Sequence, residues 1–464
     1  MALTVMPLPS RPLSCWLLAL LTLAPMAARA ADEAPTDWID LDTGHRIVRL
    51  SREPGTASLY FHQNAYSADG KKLFVTTPSG GIAAIDLATR EIKPLVPGTV
   101  SVLVAGRKTG DIYYTKRPAR AAGGAENAAP DSMGGTVFAT NPTTGQTREV
   151  VKLPPGVSVS SLNADETLLI GVKLPEGGER GSRGTATSRN GAGGGDSRFL
   201  QANYEGTGPN GEKLTFAQAK DLQLHRTLMS VRASPPRSLF TLNIATGAIT
   251  VIHRESEWLN HLQFSPTDPN RLMFCHEGPW IEVDRVWTIL ADGTGLTKVH
   301  TRTMNMEKAG HEFFGGDGRT IWYDLQMPRS EVFWLAGWEI ATDHRTWYQL
   351  QRDEWSVHFN VSPDGTLFAG DGGDEEMVAH AKNGKWIYLF RPAEVPEMIG
   401  IKSPDAANLI HPGILQAERL VNLSKHDYRL EPNVSFTPDM KWIVFRSNLS
   451  GAVHTYAVEI AKTK

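Results

Sequence analysis

A short turn phrase recurs along the chain, and this repeat limits the possible folds more than any other feature. Its copies are Tyr66-Ser-Ala-Asp-Gly70, Leu162-Asn-Ala-Asp165, Phe264-Ser-Pro-Thr-Asp268, Phe314-Gly-Gly-Asp-Gly318, Val361-Ser-Pro-Asp-Gly365 and Phe436-Thr-Pro-Asp439. Each copy is followed by a short apolar run. Pro, Asp and Gly favour tight turns because their side chains preset or tolerate the turn dihedrals. The repeat therefore predicts a series of strand–turn–strand units.

A second phrase alternates with the first and consists of two strand-like runs around a turn of the Thr-Gly type. It occurs at 82–95, 137–151, 239–252, 286–299 and 333–350. One copy of each phrase makes a four-stranded unit, and such units recurring along a chain are typical of a β-propeller. We count seven units, so the predicted fold class is all-β, a seven-bladed β-propeller.

The two ends of the chain predict how this ring closes. The last unit, after Asp439, lacks an outer strand, whereas residues 40–50 resemble an isolated second half of the second phrase. We therefore expect the N-terminal strand to pair into the last blade.

Two segments fall outside the repeat. Residues 1–30 contain Arg11, an apolar run at 16–26 and the small-residue pattern Ala28-Arg-Ala30, which together predict a cleaved export signal and a periplasmic location. Residues 31–464 form one propeller domain with a Gly-rich insertion at about 176–235, in which 214–229 is a candidate helix. The insertion is either a surface loop or a flap over the mouth of the propeller. The segment 119–135 is a second predicted loop.

Composition excludes several classes of protein. The 47 Lys and Arg residues against 50 Asp and Glu give a net charge of −3, which argues against nucleic acid as a partner. The two cysteines, Cys15 and Cys275, exclude a disulfide framework and a multi-cysteine metal site. No stretch after the signal is long and apolar enough to predict a membrane span. The sequence leaves the oligomeric state open.

Polar residues recur at one position, just before the turn phrases. They are His62, His261, His311, His358, Glu431 and Asn433. Because equivalent positions in successive blades lie on one ring, we expect these side chains to converge on one face near the central channel. A single such histidine is more often a satisfied core or turn residue, but several titratable groups buried together indicate a binding site.

Three strings resemble the oligogalacturonate lyase family. They are Phe274-Cys-His-Glu-Gly-Pro279, Gly310-His-Glu-Phe313 and Ser435-Phe-Thr-Pro-Asp439. The resemblance is strongest over residues 258–447. It implies a seven-bladed propeller that cleaves short pectin fragments by β-elimination with a manganese-type divalent ion.

The resemblance also implies roles for individual residues. The catalytic histidine of the family matches His311, its catalytic arginine matches Arg285, and its first metal-binding histidine matches His358. His62, His261 and His276 would orient the sugar or help to protonate the leaving oxygen.

The chain departs from the family pattern near its C-terminus. The family has Gln-x-x-His-x-His where this sequence has Tyr428-Arg-Leu-Glu431-Pro-Asn433. The predicted metal ligands are therefore His358, Glu431 and Asn433, a set that suits Mn²⁺ or Ca²⁺ because hard cations accept carboxylate and amide oxygens. The same departure leaves open a site without metal.

The predicted function is cleavage of a uronate-containing oligosaccharide by β-elimination, with His311 as the base. An imidazole suits this step because its pKa lies near neutrality. Arg285 and a metal near His358 would neutralise the uronate carboxylate. Three alternatives stay open: a lyase for another uronate glycan such as a glucuronate–rhamnose linkage, a non-catalytic propeller that binds anionic sugars or a protein, and a glycoside hydrolase. The hydrolase would use two carboxylates among Glu277, Glu312 and Glu431.

Overall fold

The computed structural model describes residues 36–116, 135–175, 205–375, 381, 383–396 and 400–462. The predicted export signal at 1–30 lies outside these residues, as do nearly all of the loop predicted at 119–135 and residues 176–204 of the Gly-rich insertion. Strands dominate the described part of the chain, which makes the fold all-β as predicted.

The strands and the helix follow one another in a regular order. The N-terminal part contains β1 (Asp37–Ile39), β2 (His45–Arg49), β3 (Ala57–Ser58), β4 (Lys72–Thr76), β5 (Ile82–Asp86), β6 (Ile92–Val96), β7 (Ser101–Ala105), β8 (Ile112–Lys116), β9 (Gly135–Thr140), β10 (Thr147–Leu153), β11 (Val157–Leu162) and β12 (Leu168–Lys173). The middle contains α1 (Phe216–Arg232), β13 (Arg237–Asn243), β14 (Ile249–Glu255), β15 (Leu259–Phe264), β16 (Arg271–His276), β17 (Val286–Leu290), β18 (Thr297–Lys298), β19 (Lys308–Phe314), β20 (Thr320–Gln326), β21 (Phe333–Glu339) and β22 (Arg345–Leu350). The C-terminal part contains β23 (Phe359–Val361), β24 (Phe368–Gly370), β25 (Trp386–Glu394), β26 (His411–Asn422), β27 (Ser435–Phe436), β28 (Trp442–Ser447) and β29 (His454–Lys462), and short 3₁₀ helices occupy Arg352–Glu354 and Ala406–Asn408.

Within the described residues, the strands group into six units of four consecutive antiparallel strands and one final sheet of five strands. The four-strand units are β3–β6, β7–β10, β11–β14, β15–β18, β19–β22 and β23–β26. The last two of these are joined edge to edge, because β22 and β26 pair in parallel. The first, third, fourth and fifth units each contain one copy of both sequence phrases, which confirms the two-phrase interpretation for these units. The second unit contains only the second phrase and the sixth only the first.

The final sheet joins the two ends of the described chain. Strand β2 pairs antiparallel with β29, where Ile47 lies opposite Val458, and β1 continues the sheet beyond β2. The N-terminal strand therefore pairs into the last sheet, as predicted. Strand β1 was not predicted, because its three residues carry no repeat phrase.

The hydrophobic core lies between successive sheets. One cluster combines Leu103 and Val137 of the second unit with Leu169 and Phe240 of the third, and similar clusters join other neighbouring units. Most sheets are apolar on both faces because each packs between two others. This stacking fixes the innermost strands firmly, so polar residues at the ends of those strands are held on a rigid frame.

Helix α1 lies between β12 and β13, which still pair directly with each other. It begins with a capping box formed by Thr215 and Gln218, which confirms the helix predicted near 214–229 with a later end. Its buried face packs on the segment after β16; Leu224 and Leu228 cluster with Val283. Among the residues described, no helix is long and apolar enough to cross a membrane.

Candidate active site

Two histidines occupy a strained backbone position at equivalent places in successive units. Strand β15 has a bulge between Asn260 and Gln263, and β19 has one between Gly310 and Phe313. His261 and His311 lie in these bulges with φ of 49° and 45°. Such angles are uncommon for residues other than glycine, and they cluster at functional sites where the surrounding structure holds them.

The imidazoles predicted to form a ring do lie close together. The ring centroids of His311 and His358 are 4.5 Å apart, and those of His62 and His261 are 6.0 Å apart. Tyr60 links the two pairs, because its ring lies 6.0 Å from His261 and 5.3 Å from His358. The structure thus brings together four of the histidines that the sequence placed on one face.

His311 is held by a carboxylate from the neighbouring strand. Its Nδ1 lies 2.7 Å from Oδ2 of Asp324 in β20. Burial lowers the pKa of His311 well below its usual value, and the charges of His358 and Arg285 act in the same direction. An Nδ1–H that donates to Asp324 leaves Nε2 as the basic nitrogen. His311 is therefore a neutral, oriented imidazole.

The same arrangement recurs one unit further along. Nδ1 of His358 lies 2.8 Å from Oδ2 of Asp371, and Oδ1 of that carboxylate accepts the backbone N–H of His358. The Nε2 atom of His358 lies 3.3 Å from the Tyr60 hydroxyl and 3.7 Å from Oε2 of Glu431. His358 is fully buried. The Nε2 atom of His358 therefore faces the carboxylate of Glu431 and the phenol of Tyr60.

Arg285 is the centre of a buried ionic network. Its Nη1 donates to Oε1 of Glu277 at 2.7 Å, and its Nε donates to Oε2 of Glu312 at 3.1 Å. The guanidinium also lies over the Trp280 ring, and only 2% of the side chain is exposed. Burial alone raises the pKa of Glu277, but the charges of Arg285 and His261 outweigh it and lower this pKa to about 2.

Glu312 connects this network to the histidines. Its Oε1 lies 3.2 Å from Nδ1 of His261. The Arg285 charge contributes to the low pKa of His311. The carboxylates of Glu277 and Glu312 thus both pair with the Arg285 guanidinium.

His276, which the sequence predicted to bind substrate, has its own acid partner. Its Nε2 lies 2.8 Å from Oε1 of Glu255, and its ring lies 5.0 Å from that of Trp287. Adjacent residues in a strand point to opposite faces, so the motif that places Cys275 on one side of β16 sends His276 to the other.

The residues predicted to hold a metal offer few donors. The Oδ1 atom of Asn433 accepts the backbone N–H of Phe61, and its Nδ2 donates to the carbonyl of Glu431. Tyr428 donates its hydroxyl to the carbonyl of Asp371. Four positions of this sequence correspond to the metal ligands of the family. Among them, only Nε2 of His358 and the carboxylate of Glu431 offer a ligand atom for a metal. These two ligand atoms do not fit a four-ligand manganese site. The prediction that Asn433 binds the metal is corrected above all, because its side-chain amide is hydrogen-bonded to the backbone.

A second group of donor atoms lies beside Arg285. One donor atom each from His261, Cys275 and Glu312 lie within 4.8 Å of one another, and they form the only such group of three among the residues described. Burial raises the pKa of the Cys275 thiol, so the sulfur stays neutral, whereas metals bind the thiolate. Since Glu312 also binds Arg285, this group fits a hydrogen-bonded cluster better than a manganese site.

Three residues of the site were missed from sequence: Tyr60, Asp324 and Asp371. The two aspartates had a recognisable pattern, because each lies 13 residues after its histidine. Tyr60 had none, since it does not belong to a repeated phrase.

The comparison with protein families agrees with this geometry. A family model described as oligogalacturonate lyase matches residues 229–463, half of the chain. The chain belongs to the oligogalacturonate lyase family. The match includes His261, Arg285, His311 and His358. The match also includes the segment around Glu431, where this sequence departs from the family pattern.

Curated members of this family share part of the sequence. The oligogalacturonide lyase of Pectobacterium atrosepticum and the oligogalacturonate lyase of Dickeya dadantii are each 28% identical over 234 residues, which is 49% of this chain and 56% of each relative. The chain thus spans about half the length of the curated relatives it matches.

Solved structures of the family share the fold. An oligogalacturonate lyase in complex with manganese has a TM-score of 0.65 at 21% identity, with 92% of this chain and 96% of the other covered. An oligogalacturonate lyase from Vibrio parahaemolyticus has the same TM-score and coverage at 19% identity. At this identity the likeness concerns the fold.

Proposed function

We propose that this protein is a lyase that cleaves a uronate-containing oligosaccharide by β-elimination. The observation that carries the proposal is the His311–Asp324 pair, a neutral imidazole held in a strained bulge and surrounded by other histidines. β-Elimination needs such a base because the proton beside the uronate carboxylate is only weakly acidic. Membership of the oligogalacturonate lyase family supports the same reaction class.

In the proposed reaction, Nε2 of His311 takes the proton from the carbon that carries the uronate carboxylate. The electron pair of that C–H bond forms a double bond to the next ring carbon, and the bond from this carbon to the glycosidic oxygen breaks. The imidazolium then gives the same proton to the departing oxygen. Atoms balance without water, and the product carries an unsaturated uronate.

The neighbouring groups orient the sugar and tune the base. Burial and the charge of His261 lower the pKa of His62 to about 3, so His62 is a neutral hydrogen-bonding group at ordinary pH. Asp324 fixes the tautomer of His311, and we assign Arg285 a positioning role through Glu277 and Glu312. The divalent ion implied by the family resemblance takes no step in this proposal, because the donor set at His358 does not fit it.

We also propose that the sheets close into a ring and that the protein is exported. The seven sheets would close as a seven-bladed propeller through β2 and β29, and contacts of β28 with β3 and of β27 with β23 support this closure. Residues 1–30 would direct the chain to the periplasm.

The substrate is either oligogalacturonate or a related uronate glycan. Oligogalacturonate follows from the names of the curated relatives. The departure at Tyr428, Glu431 and Asn433 favours a different linkage, such as glucuronate–rhamnose, because these residues line the position where the family binds its metal.

The test follows the absorbance of the unsaturated uronate. The purified chain without residues 1–30 is incubated with oligogalacturonate and with a panel of glucuronate-containing oligosaccharides. A rise in ultraviolet absorbance on one of them supports a lyase and identifies the substrate class. Reducing ends without absorbance would indicate a hydrolase, and binding without product would indicate a sugar-binding propeller; either result would refute the proposal.

A further inference from the structure

We infer that Arg446 binds the substrate carboxylate and that the reaction therefore needs no divalent cation. This inference rests on the proposed lyase function. It concerns which group neutralises the carboxylate during proton removal, a role that the family resemblance gives to a metal.

The position of Arg446 is set by two main-chain carbonyls. It lies near the end of β28, and its Nε donates to the carbonyl of Glu431 at 2.8 Å. Its Nη1 lies 3.4 Å from the carbonyl of Ser58 in β3, across the boundary between the last sheet and the first. The guanidinium is therefore fixed where these two sheets meet, close to the Tyr60 segment.

This place adjoins the departing family positions. The Glu431 carboxylate lies 3.7 Å from Nε2 of His358, and the Tyr60 hydroxyl lies 3.3 Å from the same nitrogen. The charges of Glu431 and Tyr60 act on Arg446, although burial has the larger effect and lowers its pKa. Arg446, Tyr60 and Glu431 are each partly exposed.

Elimination is favoured by a cation beside the carboxylate of the uronate. Removal of the proton spreads negative charge onto the carboxylate, and a fixed positive group stabilises that charge. Arg285 is 2% exposed and held by two carboxylates. Arg446 is more exposed, and a guanidinium can bind a carboxylate through two parallel N–H groups.

The donor set explains why an arginine suits this chain better than a metal. Asn433 and Tyr428 direct their side chains to the backbone, and His358 and Glu431 alone supply too few ligands. An arginine whose charge is built into the chain supplies the same electrostatic stabilisation without ligands.

The first experiment measures metal dependence. Metal content is determined by plasma mass spectrometry, and the rate of product formation is followed with EDTA and with added Mn²⁺ or Ca²⁺. We expect far less than one bound ion per chain and a rate that changes less than about twofold. One bound ion per chain, with activity lost in EDTA and restored by Mn²⁺, would overturn the inference and leave the lyase function intact.

The second experiment compares Arg446→Gln with Arg446→Lys on two substrates. One is the oligouronate that the wild type cleaves, and the other is its methyl ester, which has no carboxylate charge. We expect Arg446→Gln to lower kcat/KM on the charged substrate by about 100-fold, as for other lost groups that stabilise transition-state charge. On the ester it should lower kcat/KM much less, and Arg446→Lys should keep part of the activity.

Arg429→Gln is the matched control for this comparison. Arg429→Gln removes a positive charge in the same region, where Arg429 is exposed and pairs with Asp427, and it should leave kcat/KM unchanged. Equal losses of Arg446→Gln and Arg446→Lys on both substrates would indicate a structural role and overturn the inference. Absence of unsaturated product from the wild type on every uronate would instead refute the proposed function.

Discussion

Nδ1 of His311 lies 2.7 Å from Oδ2 of Asp324, and the same atoms of His358 and Asp371 lie 2.8 Å apart one unit further along. In both pairs the residues are separated by 13 positions. His311 lies on the first strand of its unit and His358 just before the first strand of its own. Asp324 lies on the second strand of its unit and Asp371 just after the second strand of its own. The two pairs differ in backbone: only His311 has a positive φ, in a bulge. In the proposed function, this repeated pairing serves two tasks, a base at His311 and a polar support at His358.

Asp324→Asn should reduce activity strongly without unfolding the protein. The amide presents a donor as readily as an acceptor, so His311 loses its fixed tautomer, and we expect kcat to fall about 100-fold or more. The measurement is the initial rate of unsaturated product, with far-ultraviolet circular dichroism as the folding check. Asp317→Asn, in an exposed turn, is the matched control. A rate within threefold of wild type would contradict the role of Asp324.

The pH profile should show an unusually acidic base. Because burial and the neighbouring charges lower the pKa of His311, its imidazole stays neutral below the ordinary histidine value of 6.5. The acid limb of kcat/KM should therefore lie below pH 6.5, with a plateau through neutrality. A limb centred above pH 6.5 would show that another group is the base or that the site carries more negative charge than described.

Gly310→Ala tests the packing around the base. A Cβ at Gly310 would lie 2.5 Å from two ring carbons of Trp280, and the ring of Trp280 lies 4.7 Å from that of His311. The added methyl must displace the ring, at a cost of about 1–3 kcal/mol for such overpacking. We expect a loss of at least tenfold in kcat and a lower free energy of unfolding in urea. Unchanged kinetics would mean that Trp280 does not restrain His311.

Arg285→Gln should lower stability as well as activity. The substitution leaves Glu277 and Glu312 buried without their cation, and breaking a buried pair in this way costs about 3–5 kcal/mol. Urea unfolding monitored by tryptophan fluorescence measures this loss. Arg271→Gln, whose arginine pairs loosely with Asp268 nearer the surface, is the control. A change below about 1 kcal/mol would contradict the account of the buried network.

The sequence predicted the all-β units well because the two-phrase repeat is local. Each turn phrase contains its own Pro, Asp or Gly, and each strand follows directly, so the units can be found without knowledge of their packing. The pairing of 45–49 with the last sheet was also visible, because it completes a unit that is one strand short. Strand β1 and the bulges at His261 and His311 were not visible, since they depend on contacts between units.

The site was only partly predictable for the same reason. Residues at equivalent positions of successive units were expected to lie close together. This expectation found His62, His261, His311 and His358. It could not show that Asn433 gives its amide to Phe61, nor that His276 points away from His261, because both follow from contacts between residues far apart in sequence. Arg446 was missed because a single arginine in a strand has no distinguishing pattern.

The most direct test of the central claim compares His311→Ala with His276→Ala. The two histidines are both buried and both paired with an acid, but only His311 lies in the cluster. On the substrate that the wild type cleaves, we predict that His311→Ala gives no rise in unsaturated-uronate absorbance and that His276→Ala keeps at least a third of the wild-type rate, with both variants folded. Product formation by His311→Ala, or equal loss in the two variants, would contradict the account.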